Sequence, residues 1–126
     1  MVDLAGKVAV ITGAASGIGA AGVEVFVEVG AQVIVSDVQD EKGEAIVTRF
    51  GGDKVAYRHC DVTDPAALEA LMQSAVDTFG GLDILWNNAG SGGTPTSVEE
   101  LDLDGYQFTM DLLLKSGFVG AHFAIP

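Results

Sequence analysis

Four short apolar runs along the chain alternate with segments whose apolar residues recur at helical spacing. Val8-Ala9-Val10-Ile11, bounded by Lys7 and by Thr12-Gly13, has the unbroken apolar character of a parallel strand buried on both faces. A Gly/Ala/Ser loop follows, then a helix over Ile18 to Val29, with Gly30 where a helix end favours a residue of positive φ. Gln32 to Ser36 reads as the second strand, and Asp40 to Phe50 as a polar surface helix stopped by Gly51-Gly52. Lys54 to Arg58 reads as a third strand whose polar ends mark a sheet edge. Thr63-Asp64-Pro65 signals a helix start, because Asp64 can cap it and Pro65 suits the first helical position. Leu68, Leu71, Met72, Ala75 and Phe79 then share one face before Gly80-Gly81 ends the helix. Leu82 to Trp86 is the fourth strand, a Gly/Ser/Thr/Pro-rich loop spans Gly90 to Ser97, and a last helix runs from near Asp104 to the end.

Strands alternating with helices imply βαβ units with right-handed crossovers: an α/β, doubly wound parallel sheet, without repeats or a linker. That winding orders the first three strands 3-2-1 and sets the fourth on the far side of the first. The reversal opens a crevice above the strand ends, where such sheets bind ligands.

Composition narrows the possibilities. The 126 residues suit a single domain. With 48% hydrophobic and 19% charged residues, the chain is no disordered acidic tail. Six basic against eighteen acidic residues give a net charge of −12, which disfavours nucleic acid and anionic lipid as partners. A small anionic ligand stays admissible, since distant exposed charges are screened. Cys60 is the single cysteine, so no intrachain disulfide can form, and a reducing compartment fits. The start has no basic head followed by an apolar run, and Leu112 to Pro126 is too short to span a bilayer. A cytoplasmic protein that avoids membranes is expected. His59 and His122 lack partners at metal spacing, so no metal site is expected.

The candidate chemistry gathers at the strand ends. Thr12-Gly13-Ala14-Ala15-Ser16-Gly17-Ile18-Gly19 follows the first strand and opens the first helix. Glycines there let a backbone turn tightly and approach a ligand. The free N–H groups and dipole of a helix N-terminus favour a pyrophosphate. A glycine-rich turn that only packs helix on strand would look the same. Asp37 closes strand two, 18 positions beyond Gly19, where an acidic side chain can accept ribose hydroxyls. Its charge would repel a 2′-phosphate, and no Lys or Arg occupies 14–16 or 38–39, which favours NAD over NADP. A turn Asp that caps its own loop is the alternative. Asp61-Val62 follows strand three and Asn87-Asn88-Ala89-Gly90 follows strand four. Asp61 could accept from an adenine amino group, and Ala89-Gly90 would let a ribose come close. For Asn87 and Asn88, local turn chemistry is the alternative.

Taken together, Thr12-Gly13-x-x-x-Gly17-x-Gly19, Asp37, Asp61-Val62 and Asn87-Asn88-Ala89-Gly90 resemble the short-chain dehydrogenase/reductase family over essentially the whole chain. The resemblance implies a Rossmann-type fold and NAD-linked oxidation of alcohols or reduction of ketones. It implies that Gly13, Ser16, Gly17, Ile18 and Gly19 hold the pyrophosphate side, that Asp37 meets the adenosine ribose, and that Val38 next to it belongs to the cofactor-binding set. Asp61 and Val62 would flank adenine, and Asn88, Ala89 and Gly90 would line the next ribose. It also implies a homo-oligomer formed through the last helix.

One departure stands against this pattern. Family members carry a catalytic Ser and a Tyr-x-x-x-Lys further along. Here the two tyrosines, Tyr57 and Tyr106, have no Lys four residues later. The family also places an Asn in the last helix, and alignment puts Leu113 there. The expectation is therefore an NAD-binding domain over residues 1–126, truncated after the fourth strand and following helix. It lacks catalytic residues and turns nothing over alone. The competing expectation is a complete, non-catalytic dinucleotide-binding or interaction module. Leu112, Leu113, Leu114, Phe118, Val119, Phe123 and Ile125 cannot all be buried against one four-stranded sheet, which favours the truncated reading.

Overall fold

The computed structural model describes residues 2–93 and 96–126. Thr94 and Pro95, within the predicted 90–97 loop, lie outside the described residues. Four parallel strands, β1 (Val8–Thr12), β2 (Gln32–Asp37), β3 (Val55–His59) and β4 (Ile84–Trp86), are ordered β3-β2-β1-β4. The order reverses beside β1, as right-handed winding from a central first strand requires. Val8 pairs with Gln32, Val33 with Val55 and Ala9 with Ile84, which brings all four carboxyl ends to one rim.

Side chains alternate between two cores, as the two-residue period of a strand dictates. Ala9, Ile11, Val33, Val35, Val55 and Tyr57 face one side. Helices α1 (Gly17–Glu28) and α2 (Asp40–Phe50) cover that side with Val23, Phe26, Ile46 and Val47. Val8, Val10 and Ile34 face the other, beneath α3 (Pro65–Phe79) with Leu68, Leu71, Met72 and Ala75. Asp64 caps α3 by accepting from the Ala66 N–H, with Pro65 at the first helical position, as predicted.

Several boundaries differ from the sequence reading: β1 runs on to Thr12, β2 runs on to Asp37, and α1 lies one residue earlier, at Gly17–Glu28. β3 lies one residue later than predicted, at Val55–His59. β4 begins at Ile84 rather than Leu82, because Asp83 turns its carboxylate back to accept the Val8 N–H (2.9 Å). The last helix is not continuous: α4 (Leu103–Met110) passes through a π-helical turn (Asp111–Lys115) into α5 (Ser116–Ala124). At that turn the Ser116 hydroxyl donates to the Leu112 carbonyl, back-bonding of a kind that bends helices. Leu112, Val119 and Phe123 pack on the α3 core, whereas Leu113, Leu114, Phe118 and Ile125 stay exposed. β3 and β4 are the sheet edges. No helix among the described residues is long and apolar enough to cross a membrane.

Candidate functional site

Above the reversal in strand order lies a cleft of about 670 Å³. Gly13, Ser16 and Ile18 line it from the loop after β1, and Asp37 and Val38 from the end of β2. Asp61 and Val62 line it after β3, and Asn88, Ala89 and Gly90 after β4. Ten of the twelve candidate residues thus share one wall. Gly17 and Gly19 shape the loop without lining the cleft. Gln39, Cys60, Ser91, Phe108 and Leu112 also line it and were not singled out from sequence. Phe108 and Leu112 come from a helix whose approach to the strand ends depends on tertiary packing, so no local signal marks them.

Ser16 and Ile18 bring the N-terminus of α1 to the lining of the cleft. Ser16 occupies the N-cap of α1 in extended conformation yet makes no side-chain cap bond, and the first turn carries no acidic residue. The first N–H groups of a helix need partners from outside it, and an anion suits them. The loop that delivers α1 to this place is tied down on both sides. Ala14 N–H donates to the Ser36 carbonyl (3.0 Å) and Ala15 N–H to Asp37 Oδ2 (3.0 Å). On the other side, Asn88 Nδ2 donates to the carbonyls of Thr12 (3.1 Å) and Gly13 (3.2 Å). Gly19 sits so close to that amide that a Cβ would lie 2.6 Å from Asn88 Nδ2.

Thr12 is the partner that sequence reading passed over as mere motif. Its buried Oγ1 accepts from both Asn88 N–H and Ala89 N–H, each at 3.0 Å, and so fixes where the chain turns after β4. Thr12→Val keeps the shape but removes the acceptor, leaving the Ala89 N–H without its bond and the Asn88 N–H with only its bond to the Trp86 carbonyl (3.0 Å). We expect a loss of about 1–3 kcal/mol, read from the urea midpoint at unchanged slope. A midpoint equal to the parent chain's would show that the clasp contributes nothing.

Asp37 is buried, and both carboxylate oxygens are in use. Oδ2 takes the Ala15 N–H, while Oδ1 takes the Val38 (2.7 Å) and Gln39 (3.0 Å) N–H groups. The side chain therefore does cap its own turn, and it also borders the cleft. Asp61 is exposed, and its carboxyl is held below the usual range by the Thr63 hydroxyl and N–H. Burial pushes the Cys60 thiol up to about 11, and the carboxylates of Asp61 and Asp64 act in the same direction, so the thiol is a neutral wall of the cleft. Leu113 packs towards Gly90, where a Cβ would meet its Cδ2 at 2.9 Å.

Comparison with known proteins bears on the family and the fold. Residues 7–126 match the family described as short chain dehydrogenase. Momilactone A synthase of Oryza sativa subsp. japonica is 43% identical over 122 residues, which cover 96% of this chain and 44% of that protein. (+)-Borneol dehydrogenase 1 of Salvia officinalis is 41% identical over 122 residues, 96% of this chain and 46% of that protein. Among solved structures, a Serratia marcescens short-chain dehydrogenase/reductase mutant superposes with TM-score 0.92 at 36% identity. A 3-ketoacyl-(acyl-carrier-protein) reductase from Brucella melitensis complexed with NADH gives 0.92 at 31% identity. Both structural matches cover 98% of this chain and 51% of the other. The chain spans about half the length of the relatives it matches.

Proposed function

This chain belongs to the short-chain dehydrogenase family, and from that premise we propose that it is the NAD-binding half of an oxidoreductase acting on an alcohol or ketone. The observation that carries the reading is the uncapped N-terminus of α1 beside a cleft that Ser16, Ile18 and Asp37 line together. A pyrophosphate on the α1 N–H groups would satisfy donors that no side chain caps. Asp37, with one acceptor position left on Oδ2 beyond its turn bonds, would accept a hydroxyl of the adenosine ribose. Val38, Asp61 and Val62 would border the adenine, and Asn88, Ala89 and Gly90 the second ribose. The nicotinamide, when bound, supplies the hydride chemistry.

The work of this chain's residues is then to bind and orient. Neither Tyr57 nor Tyr106 has a Lys four residues on, and Leu113 offers no hydrogen bond where the family pattern has an Asn. The proton-transfer group therefore does not come from these 126 residues, and we expect no turnover from them alone. The exposed apolar surface of Leu113, Leu114, Phe118 and Ile125 supports a homo-oligomer formed through the last helix. The single thiol suits a cytoplasmic setting.

Calorimetric titration of the chain with NAD, and separately with NADP, tests the reading. Saturable heat with NAD at lower concentration than with NADP is expected. Absence of heat with both removes the dinucleotide from the proposal.

A further inference from the structure

None of Asp40, Tyr57 and His59 lines the cleft, yet together they hold the turn that carries Asp37. Tyr57 is buried on β3, with its ring so close beneath α2 that a Cβ on Gly43 would lie 2.1 Å from Tyr57 Cε2. Its hydroxyl reaches both the Asp37 backbone carbonyl (2.8 Å) and the Asp40 carboxylate. Asp40 Oδ1 also contacts His59 Nδ1 at 2.7 Å. The Cys60 N–H donates to the Asp37 carbonyl as well (3.1 Å). The segment from Asp37 to Asp40 is thus pinned at both ends from β3. Between those ends lie Val38 and Gln39, whose N–H groups go to Asp37 Oδ1. Whatever fixes residues 38 and 39 therefore fixes the direction in which the Asp37 carboxylate points.

Burial first, and then the hydrogen bond to Asp40, push the Tyr57 phenol far above its ordinary range, so it stays a donor at any working pH. The same bond from Tyr57, followed by that from His59, holds the Asp40 carboxyl below the usual carboxylate value. The donor and acceptor thus keep each other in the protonation states that the clamp needs.

We propose that Tyr57 and Asp40 are positioning residues that set cofactor specificity: through the Asp37–Asp40 turn they hold the Asp37 carboxylate towards the cleft, and so decide how strictly a free ribose 2′-hydroxyl is preferred to a 2′-phosphate. The proposal rests on the reading that Asp37 meets the adenosine ribose. Tyr57→Phe keeps the ring and all charges and removes only the hydroxyl. It lowers the ratio of the NADP to the NAD dissociation constant by roughly three- to tenfold, the weight of one hydrogen bond that orders the turn. Asp40→Ala, on an exposed side chain, shifts the ratio the same way. Asp40→Asn, which keeps an acceptor for Tyr57 while losing the charge, brings it back towards the parent value.

That last variant separates positioning from charge, because a purely electrostatic effect of Asp40 would leave Asn like Ala. A purely structural role would lower the melting temperature and leave the ratio unmoved. The ratio is measured by calorimetry at a temperature where each variant is folded by circular dichroism, and Asp40→Ala decides the matter should Tyr57→Phe fail to fold. A parent chain that binds neither dinucleotide sinks the functional reading itself. A parent chain that prefers NAD, with variants whose ratio stays within about twofold of it, overturns the positioning role alone.

Discussion

Gly13→Ala is expected to destabilise the chain by about 2–5 kcal/mol, against about 1–2 kcal/mol for Gly17→Ala, although both glycines have positive φ. The backbone angles, +63° and +59°, impose the same left-handed cost on an added side chain. Space makes the difference. At Gly13 a Cβ would lie 2.7 Å from Ala89 Cα and 3.1 Å from Ala89 N. Those are backbone atoms, and the Ala89 N–H is held by Thr12 Oγ1, so they cannot swing aside as a flexible side chain would. At Gly17 a Cβ would meet nothing within 4 Å. Since a domain of this kind has only about 5–15 kcal/mol in hand, the Gly13 variant loses a large share of its folded population. Urea denaturation of both variants checks the difference, and equal midpoints would refute the account of the Gly13 turn. Dinucleotide binding adds a second comparison. If a pyrophosphate occupies the open side of the α1 N-terminus, Gly17→Ala weakens NAD far more than it weakens the fold. A Gly17→Ala chain that binds NAD like its parent places the phosphates elsewhere.

The architecture was legible because each local signal agreed with its neighbours. The continuous run Val8–Ile11 is hydrophobic throughout because β1 is buried on both faces between two strands, and only a central parallel strand needs that. With β1 in the middle, handedness alone orders the other strands, and the rim bearing Gly13, Asp37, Asp61 and Asn88 follows. What escaped sequence reading is long in range. Thr12 meets Asn88 and Ala89 across 76 and 77 positions. Asp83 reaches Val8 across 75 and thereby shortens β4. Neither bond leaves a trace in nearby residues. Tyr57 left a faint one: it has the same parity as Val55, so it faces inward, and a phenol on a buried face must find an acceptor. Parity identifies the donor, but the acceptors at Asp37 and Asp40 come only with the β2–β3 register that sets Asp37 opposite His59. The π-helical turn at Asp111–Lys115 is equally silent, since Leu112-Leu113-Leu114 would suit an ordinary helix.

Asp37→Ala is expected to weaken NAD binding and to bring NADP within reach, narrowing the preference by roughly 10- to 100-fold. Two consequences of the lost carboxylate must be told apart, because the side chain has two tasks. As a turn residue it accepts from Ala15, Val38 and Gln39. The Ala15 bond is buried, so its loss leaves a donor without water, and stability falls by about 1–3 kcal/mol. As a wall of the cleft it presents negative charge, which disfavours a 2′-phosphate whatever becomes of the turn. Asp37→Asn divides the two. Its amide oxygen in the Oδ1 position still accepts from Val38 and Gln39. Its amide nitrogen then faces the Ala15 N–H, donor against donor, so the Gly-rich loop is still loosened. Both variants lose the charge, and both must therefore relax the discrimination, with Asn keeping more of the turn than Ala. Parallel titrations with NAD and NADP, read beside the melting temperatures, give the answer. If both variants melt lower while the NAD-to-NADP preference stays where it was, Asp37 serves the turn alone, and the ribose must be met by another group in the cleft.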